Sequence, residues 1–314
     1  MKRLFHMQMV AYALVMLMAT GCAEDSLSTM TDGRMTFRVG DIIDNAGWTK
    51  GAQTTLNAMD AGFGVSCSLY PSSASYSNSP CGSFFYNIKA APNIATDYYW
   101  PEGGSKMAFY AYYPYGNSAL KIKSAAADNG IPTYSYTVPQ SIAAQVDVMT
   151  ANVMDRATDD HSTVSLSFAH RCTGIRFLAY NQTSEPLTVK SVALYGVKYS
   201  GTYTDGTTWT LTGNVNSRTS YPFVLTTDTT VPGDATIDLT GTTNHLFMLP
   251  QTVPAGTDFI EVKTLENGED VTYTYTLEQD YQLVMGKCVI FQLTLGNNKL
   301  IVDPVTVTDW VPNI

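Results

Sequence analysis

The stretch Val164–Tyr180 has the sequence VSLSFAHRCTGIRFLAY, and its pattern determines the fold class. Apolar and polar residues alternate from Val164 to Phe168, which is the period of a β-strand with one buried face. The phase then slips by one residue before Ile175. A one-residue slip would move every later side chain to the other face of the sheet. We therefore predict a β-bulge near Thr173-Gly174 that absorbs it.

The composition extends this β interpretation to the whole chain. Of its 314 residues, 45% are hydrophobic and only 14% are charged, which is below the usual quarter. Uncharged polar residues favour strands and tight turns. The net charge of -9 argues against a nucleic-acid partner, because phosphate contacts need Lys and Arg. Four histidines leave little material for metal or acid–base chemistry, so we predict no enzyme activity, no catalytic residue, no metal and no cofactor.

Further strands alternate in the same way along the chain. Met35–Val39 is a short alternating run that we take as the first strand, and Val271–Leu277 and Val289–Leu295 are later ones. Asn267-Gly268 is a strong hairpin signal between two of these runs. Long helical periodicity is absent from the sequence, and Gln140–Val148 is predicted to make one helical turn at most.

The N-terminus has the features of an export signal. Lys2 and Arg3 precede an apolar run that is too short to span a bilayer, and small residues lead to Cys22. This arrangement resembles a bacterial lipobox, so we predict that residues 1–21 are a signal peptide and that Cys22 is lipidated. The alternative is an ordinary secretory signal with an incidental cysteine.

The rest of the chain is long enough for two domains. A polar segment, Asn181–Pro186, follows one strong strand and precedes another. We therefore predict an N-terminal tether over residues 22–34, one β-sandwich domain over residues 35–183 and a second over residues 184–314. Each domain is close to the usual size of a sandwich.

Several segments taken together resemble the fimbrillin-like proteins of Bacteroidetes, which are shaft and accessory subunits of type V fimbriae. The resemblance rests on the order and spacing of FYAYYPY (109–115), DVMTA (147–151), VSLSFAHRCTGIRF (164–177), HLFMLPQTVPAG (245–256), GKCVIFQLTLGNN (286–298) and VTVTDW (305–310). It implies two tandem transthyretin-like Greek-key β-sandwiches. It also implies export as a lipoprotein to the outer membrane, trimming at the N-terminus, and donor-strand exchange with other fimbrial subunits. Such a fimbria would support adhesion to host or bacterial surface ligands.

The same resemblance implies a proteolytic cut after the first strand. The corresponding place here is Thr49-Lys50-Gly51, where Lys50 replaces an arginine. Arg34 and Arg38 are alternative cut sites, although Arg38 lies within the strand pattern. Lys50 could equally be a solvated loop lysine.

The C-terminal segment 300–310 is the candidate donor strand. Its apolar residues Ile301, Val305, Val307 and Trp310 could dock in the groove of another subunit. Pro304 lacks an N–H and so suits an edge or a donor better than a central strand. The alternative is an ordinary last strand of the C-terminal sandwich.

The remaining candidates concern thiols and aromatic residues. Cys67 and Cys81 flank a polar loop and could form a disulfide in an oxidising compartment. His170 and Cys172 share a strand face, but the sequence signals no third group to orient a catalytic pair.

Aromatic residues give an alternative function. Tyr98, Tyr99 and Trp100 precede a turn and could form a sugar-binding platform, while the other tyrosine-rich run, Tyr110–Tyr115, is expected to be core. The chain would then be a monomeric surface lipoprotein that binds glycans.

Overall fold

A computed structural model describes residues 33–43, 59, 61–75, 82–123, 131–204, 206, 208–241 and 245–309, with residues 41–43 and 304–309 described by their backbone alone. The described chain is nearly all β, as the sequence predicted. Its strands, in chain order, are β1 Arg34–Ile43, β2 Phe63–Pro71, β3 Gly82–Ala90, β4 Ala95–Tyr99, β5 Ser105–Tyr113, β6 Leu120–Lys123, β7 Thr133–Thr137, β8 Met149–Ala157, β9 Val164–His170, β10 Thr173–Asn181, β11 Leu187–Leu194, β12 Lys198–Thr204, β13 Trp209–Val215, β14 Phe223–Val231, β15 Thr236–Asp238, β16 Leu246–Met248, β17 Gln251–Val253, β18 Asp258–Glu266, β19 Glu269–Thr276, β20 Tyr281–Leu283, β21 Lys287–Gly296 and β22 Lys299–Asp309.

The N-terminal core is enclosed by one seven-stranded sheet with the order β3-β2-β5-β8-β9-β1-β4. Its strands bury one face in alternation; β9, for example, buries Val164, Leu166 and Phe168. Phe63 on β2 and Phe168 on β9 have ring centroids 5.4 Å apart although two strands separate them in the sheet. The sheet therefore curls around its own apolar face.

The C-terminal core lies among three larger sheets and a small β17-β20 pair. The orders of the larger sheets are β15-β10-β21-β22, with β16 also paired to β10, then β14-β11-β18-β19 and β13-β12-β7-β6. Phe291 on β21 contacts Phe177 on β10 at 6.0 Å and Phe259 on β18 at 5.7 Å, so two of these sheets face each other across the core. Strands β6 and β7 come from the first half of the chain but pair with β12. Two tandem transthyretin-like Greek keys remain a prediction at this level of detail.

The phase slip in the opening stretch is a change of sheet, so the predicted bulge at Thr173-Gly174 was wrong. Strand β9 belongs to the N-terminal sheet and β10 to a C-terminal sheet, and the chain crosses between them at Arg171-Cys172. The physical reason is that the same sequence pattern, a switch in which residues are buried, is produced by a bulge and by a chain that leaves one core and enters another. The domain boundary between residues 183 and 184 stays a prediction.

The turn and the short helical segment predicted from local sequence signals are both present in the structure. Asn267 and Gly268 both have positive φ, at 53° and 87°, and they join β18 to β19 as an Asn-Gly hairpin should. The stretch 140–148 contains one 3-10 turn at Ile142–Ala144. Within the described ranges, no helix has the length and apolar character needed to cross a membrane.

Candidate functional site

The first strand, β1, has a partner on both of its edges. Residues Phe37–Ile43 run parallel to β9, and Arg34 and Thr36 pair antiparallel with β4. Three further hydrogen bonds tie this strand to the chain around β4: Asn93 N–H to the Phe37 carbonyl (2.7 Å), the Thr96 hydroxyl to the Met35 carbonyl (3.0 Å) and Trp100 N–H to the Gly33 carbonyl (3.0 Å). β1 therefore fills a slot between two other strands.

The side chains of β1 alternate between the core and the solvent. Met35 and Phe37 are fully buried, and Arg38 is exposed. The Phe37 ring meets Phe109 of β5 edge-on, with centroids 5.6 Å apart. Burying a Met or Phe side chain contributes about 1.5–3 kcal/mol each. The strand is therefore a structural part of the N-terminal core, and it confirms a strand at Met35–Val39, the first among the described residues.

Taking β1 away would leave a groove in this core. The edges of β9 and β4 would lose their ladder partners, and the pockets of Met35 and Phe37 would empty. Backbone groups left buried without partners cost about 1–3 kcal/mol each. Such a groove is a binding site for another extended segment with apolar residues at alternate positions.

The last strand, β22, has a ladder partner on one edge. It pairs antiparallel with β21 from Lys299 to Asp309 and ends the order of its sheet. Val302 is 5% exposed, opposite Leu293, whereas Ile301 is 36% exposed, opposite Thr294. In this single chain, the candidate donor is thus an edge strand of its own C-terminal sheet.

A β-bulge interrupts β22 beside its proline. Pro304 lies opposite Phe291 and Thr306 opposite Ile290, so Val305 is the extra residue. A proline and a bulge are both common at sheet edges, where a ladder hydrogen bond can be spared. Val307 stands opposite Val289 after the bulge, and Trp310 lies outside the described residues.

The three candidate cut sites lie in different settings. Arg34 and Arg38 are both within β1, in register with Tyr99 of β4 and Ser165 of β9 respectively. Lys50 lies outside the described residues, as do Cys22 and the predicted signal peptide. Cleavage at either arginine requires β1 to leave its sheet first, because proteases act on accessible, unpaired backbone.

Comparisons with known proteins agree with this architecture. The model of a family described as fimbrillin-like matches residues 31–310. The chain belongs to the fimbrillin-like family. Family membership indicates a fimbrial subunit at the cell surface that assembles with other subunits.

Solved structures show the same fold. A fimbrial protein from Bacteroides vulgatus is 18% identical with a TM-score of 0.66, and the match covers 88% of this chain and 99% of that one. Candidate cell adhesion proteins from Bacteroides uniformis (18% identity, 90% and 99% covered) and Bacteroides ovatus (14% identity, 90% and 98% covered) each have a TM-score of 0.52. None of the curated protein sequences matches the chain.

The predicted sugar platform does not form in this fimbrillin-like protein. The Tyr98 ring packs on Phe85 at 4.7 Å, and Trp100 is 8% exposed beneath His161, whose ring stacks on it at 5.6 Å. Only Tyr99 of the three is exposed. The sequence could not show this, because the side chains over Trp100, His161 and Arg156, lie far from it in the chain.

The described cysteines, Cys67, Cys172 and Cys288, are buried. Burial raises the pKa of Cys67, so this thiol is a poor nucleophile. Cys81 lies outside the described residues, and the pairing of the two stays a prediction. Cys172 and Cys288 are core residues with pKa values that burial likewise raises.

A buried carboxylate–imidazole pair lies where the chain crosses between the cores. His170 Nδ1 is 2.9 Å from Asp147 Oδ1, and the two side chains are 0% and 4% exposed. Sequence reasoning missed Asp147 as the group that orients His170; the DVMTA segment that contains it was noted only as part of the family resemblance. Because the pair is sealed from solvent, it can hold the crossing in place but cannot meet a substrate.

Arg171, which follows His170, adds contacts at the point where the chain crosses between the two cores. Arg171 donates from Nε to the Thr150 hydroxyl at 2.7 Å, and its guanidinium lies 5.2 Å from the centre of the Tyr203 ring. Trp209 Nε1 donates to the Arg171 carbonyl at 2.6 Å. Among the residues that the structure describes, no group of three or more His, Cys, Asp or Glu side chains is placed to bind a metal.

Proposed function

We propose that this chain is a structural or accessory subunit of a surface fimbria that is exported as a lipoprotein, trimmed after β1 and assembled by donor-strand exchange. In this scheme β1 is the removable strand of the precursor. The segment 300–310 of another subunit takes its place. The subunit then supports adhesion as part of the polymer.

The observation that carries the proposal is the placement of β1. It is the first strand of the described chain, it fills a slot between β9 and β4, and it buries Met35 and Phe37 completely. Its loss would leave unpaired backbone and empty apolar pockets, both of which favour the capture of a strand. Head-to-tail repetition of such a contact builds a filament wherever the rotation between subunits does not close a ring.

The assignment of residues 300–310 as the donor strand is supported by the position of β22, which differs from that of β1. β22 has one ladder, to β21, and ends the order of its sheet, whereas β1 has ladders on both of its edges. An edge strand is also the element most open to pairing with another chain.

Lys50 is the cut site we favour, because a cut there would fall after the whole of β1, whereas a cut at Arg34 or Arg38 would fall within it. Replacing Lys50 with Gln should leave uncut precursor that folds but does not polymerise. Lys89→Gln is a matched control elsewhere on the N-terminal sheet and should polymerise normally. Polymers that retain residues 22–50 would contradict the proposal.

The donor role is tested by the tail itself. Deleting residues 305–314 should leave folded monomers that no longer form ladders resistant to SDS. A synthetic peptide of residues 299–314 should cap trimmed subunits and shorten the polymers, whereas a scrambled peptide of the same composition should not. Normal polymerisation of the tail deletion would exclude this segment as the donor.

The lipid anchor is tested separately. The variant Cys22→Ala should lose labelling by a palmitate analogue and leave the membrane fraction. Unchanged labelling would mean that Cys22 is not the lipid-bearing residue.

A further inference from the structure

The outer face of the β13-β12-β7-β6 sheet forms the floor of a groove with a volume of about 840 Å³. Volumes of this size are typical of small-molecule sites. The segment around the 3-10 turn at Ile142–Ala144 forms one wall, through Pro139, Ala143 and Ala144, and Tyr221 also lines the groove. The groove is distant in sequence from the two terminal strands on which the proposed assembly depends.

The floor is a regular array of hydroxyl groups. In one row, Ser135 stands opposite Thr202; in the next, Thr137 stands opposite Ser200, which is itself opposite Thr212. Directly opposed residues of antiparallel strands share a face, so these hydroxyls lie side by side. Thr137 and Ser200 are within 3.0 Å of each other through their hydroxyl oxygens. Each hydroxyl can donate and accept a hydrogen bond.

Tyr221 lies beside this floor with an unusual backbone conformation, and contacts of its ring and hydroxyl group hold it in place. Its φ of 58° lies in the left-handed region, which is rare for a bulky residue. Its ring stacks on Tyr199 at 4.0 Å with an interplanar angle of 6°, and its hydroxyl donates to the Val138 carbonyl at 3.0 Å. Backbone strain of this kind is maintained only where the surroundings impose it, and it is found most often at binding sites.

The chemistry of the groove excludes most classes of ligand. Lys121 is the single charged residue among the described residues that line it, so neither a metal ion nor a polyanion finds its usual partners. The floor strands β7 and β12 each have partners on both edges, so they offer no free ladder to a peptide strand.

We propose that this groove binds a short neutral oligosaccharide. Sugar hydroxyls match the amphoteric hydroxyls of the floor, and the Tyr221 ring supplies an aromatic surface at its side. This groove is a different site from the predicted Tyr98–Trp100 platform, which does not form in the structure. It does not depend on donor-strand exchange, because every groove residue lies outside β1 and β22.

The test uses the uncut, monomeric mature chain, so its outcome is separate from that of the assembly experiments. A panel of short neutral oligosaccharides (glucans, mannans, galactans and N-acetylglucosamine oligomers) is compared with heparin and sialylated glycans by titration calorimetry. We expect saturable binding of at least one neutral oligosaccharide. The variant Thr202→Arg, which places a long side chain on the exposed floor, should weaken it by about tenfold or more.

Two further variants keep the outcome interpretable. Ser135→Arg should block the same groove from the neighbouring strand, so a folding defect in one variant does not decide the result. Thr204→Arg lies on the same face of β12 but outside the groove lining, and it should change the affinity less than about twofold. Absence of binding to every neutral oligosaccharide, binding to charged glycans alone, or unchanged affinity in both groove variants would overturn the proposal.

Discussion

The N-terminal and C-terminal cores are each completed by a strand near one end of the described chain, but the two strands are held differently. β1 sits between two partners and buries Met35 and Phe37 completely. β22 has a ladder on one edge, and Ile301 is 36% exposed. The first core therefore depends on its terminal strand for its interior, whereas the second depends on its terminal strand mainly for an edge. In the proposed assembly, the strand that is replaced is the one that fills a core, and the strand that is donated is the one at an edge.

The largest effect that would test this contrast is expected at Phe37. Replacing Phe37 with Ala removes a fully buried ring against Phe109 and should lower the free energy of unfolding by about 3–5 kcal/mol. Urea unfolding of the uncut chain measures it. The adjacent variant Arg38→Ala, on the exposed face of the same strand, should stay within about 0.5 kcal/mol. A small loss for Phe37→Ala would mean that β1 is not part of the core.

Lowering the pH should destabilise the C-terminal core more than the N-terminal core. The expected loss of unfolding free energy is somewhat smaller than that for Phe37→Ala. Burial, assisted by the nearby Arg176, lowers the pKa of His245 in the C-terminal core to about 4. Asp238 and Asp147 oppose this shift but do not cancel it. The unfolded chain binds a proton at this residue below its ordinary pKa of about 6.5, whereas the folded chain stays neutral down to about 4.

Stability should therefore fall as the pH falls through this window, because the unfolded state then binds more protons. The shift corresponds to at most about 3 kcal/mol at pH 4 relative to pH 7. Hydrogen exchange at pH 5 should show β10 and β16 losing protection before β2 and β5. The variant His245→Gln should reduce the pH dependence of unfolding; an unchanged slope would show that His245 does not cause it.

The smallest effect is expected at β22. Val302→Ala removes two buried methyl groups and should cost about 1.5 kcal/mol, while Ile301→Ala should stay within about 0.5 kcal/mol. Thermal unfolding of the two variants side by side measures the difference. Equal losses would show that both faces of β22 are packed and that the strand is not a simple edge.

Sequence alternation was sufficient to predict several of the strands. It located β1 and β21, and the Asn267-Gly268 signal located the β18–β19 hairpin. It could not show which sheet a strand joins, because pairing depends on residues far away in the chain. The Thr173-Gly174 region illustrates the limit: a change of buried face is consistent with a bulge and with passage to another core, and only the pairing of β10 with β21 distinguishes them.

The same limit applies to the candidate sites. The tyrosine-rich run was correctly expected to be core, since Tyr110 and Tyr112 are buried. The exposure of Tyr98 and Trp100 could not be predicted, because His161 and Phe85 cover them from other parts of the chain. Asp147 and the hydroxyl array on β7 and β12 were likewise invisible, since both arise from the juxtaposition of separate strands.

The parallel course of β1 along β9 also has a mechanical consequence. Six residue pairs connect the two strands, from Phe37 to Ile43. A pull along the axis of β1 would load these rungs in shear and make them resist together. A force directed across the strand would instead open them one after another. We therefore expect an uncut subunit to hold β1 well against a pull along that axis, and to lose β1 most easily when the strand is peeled sideways.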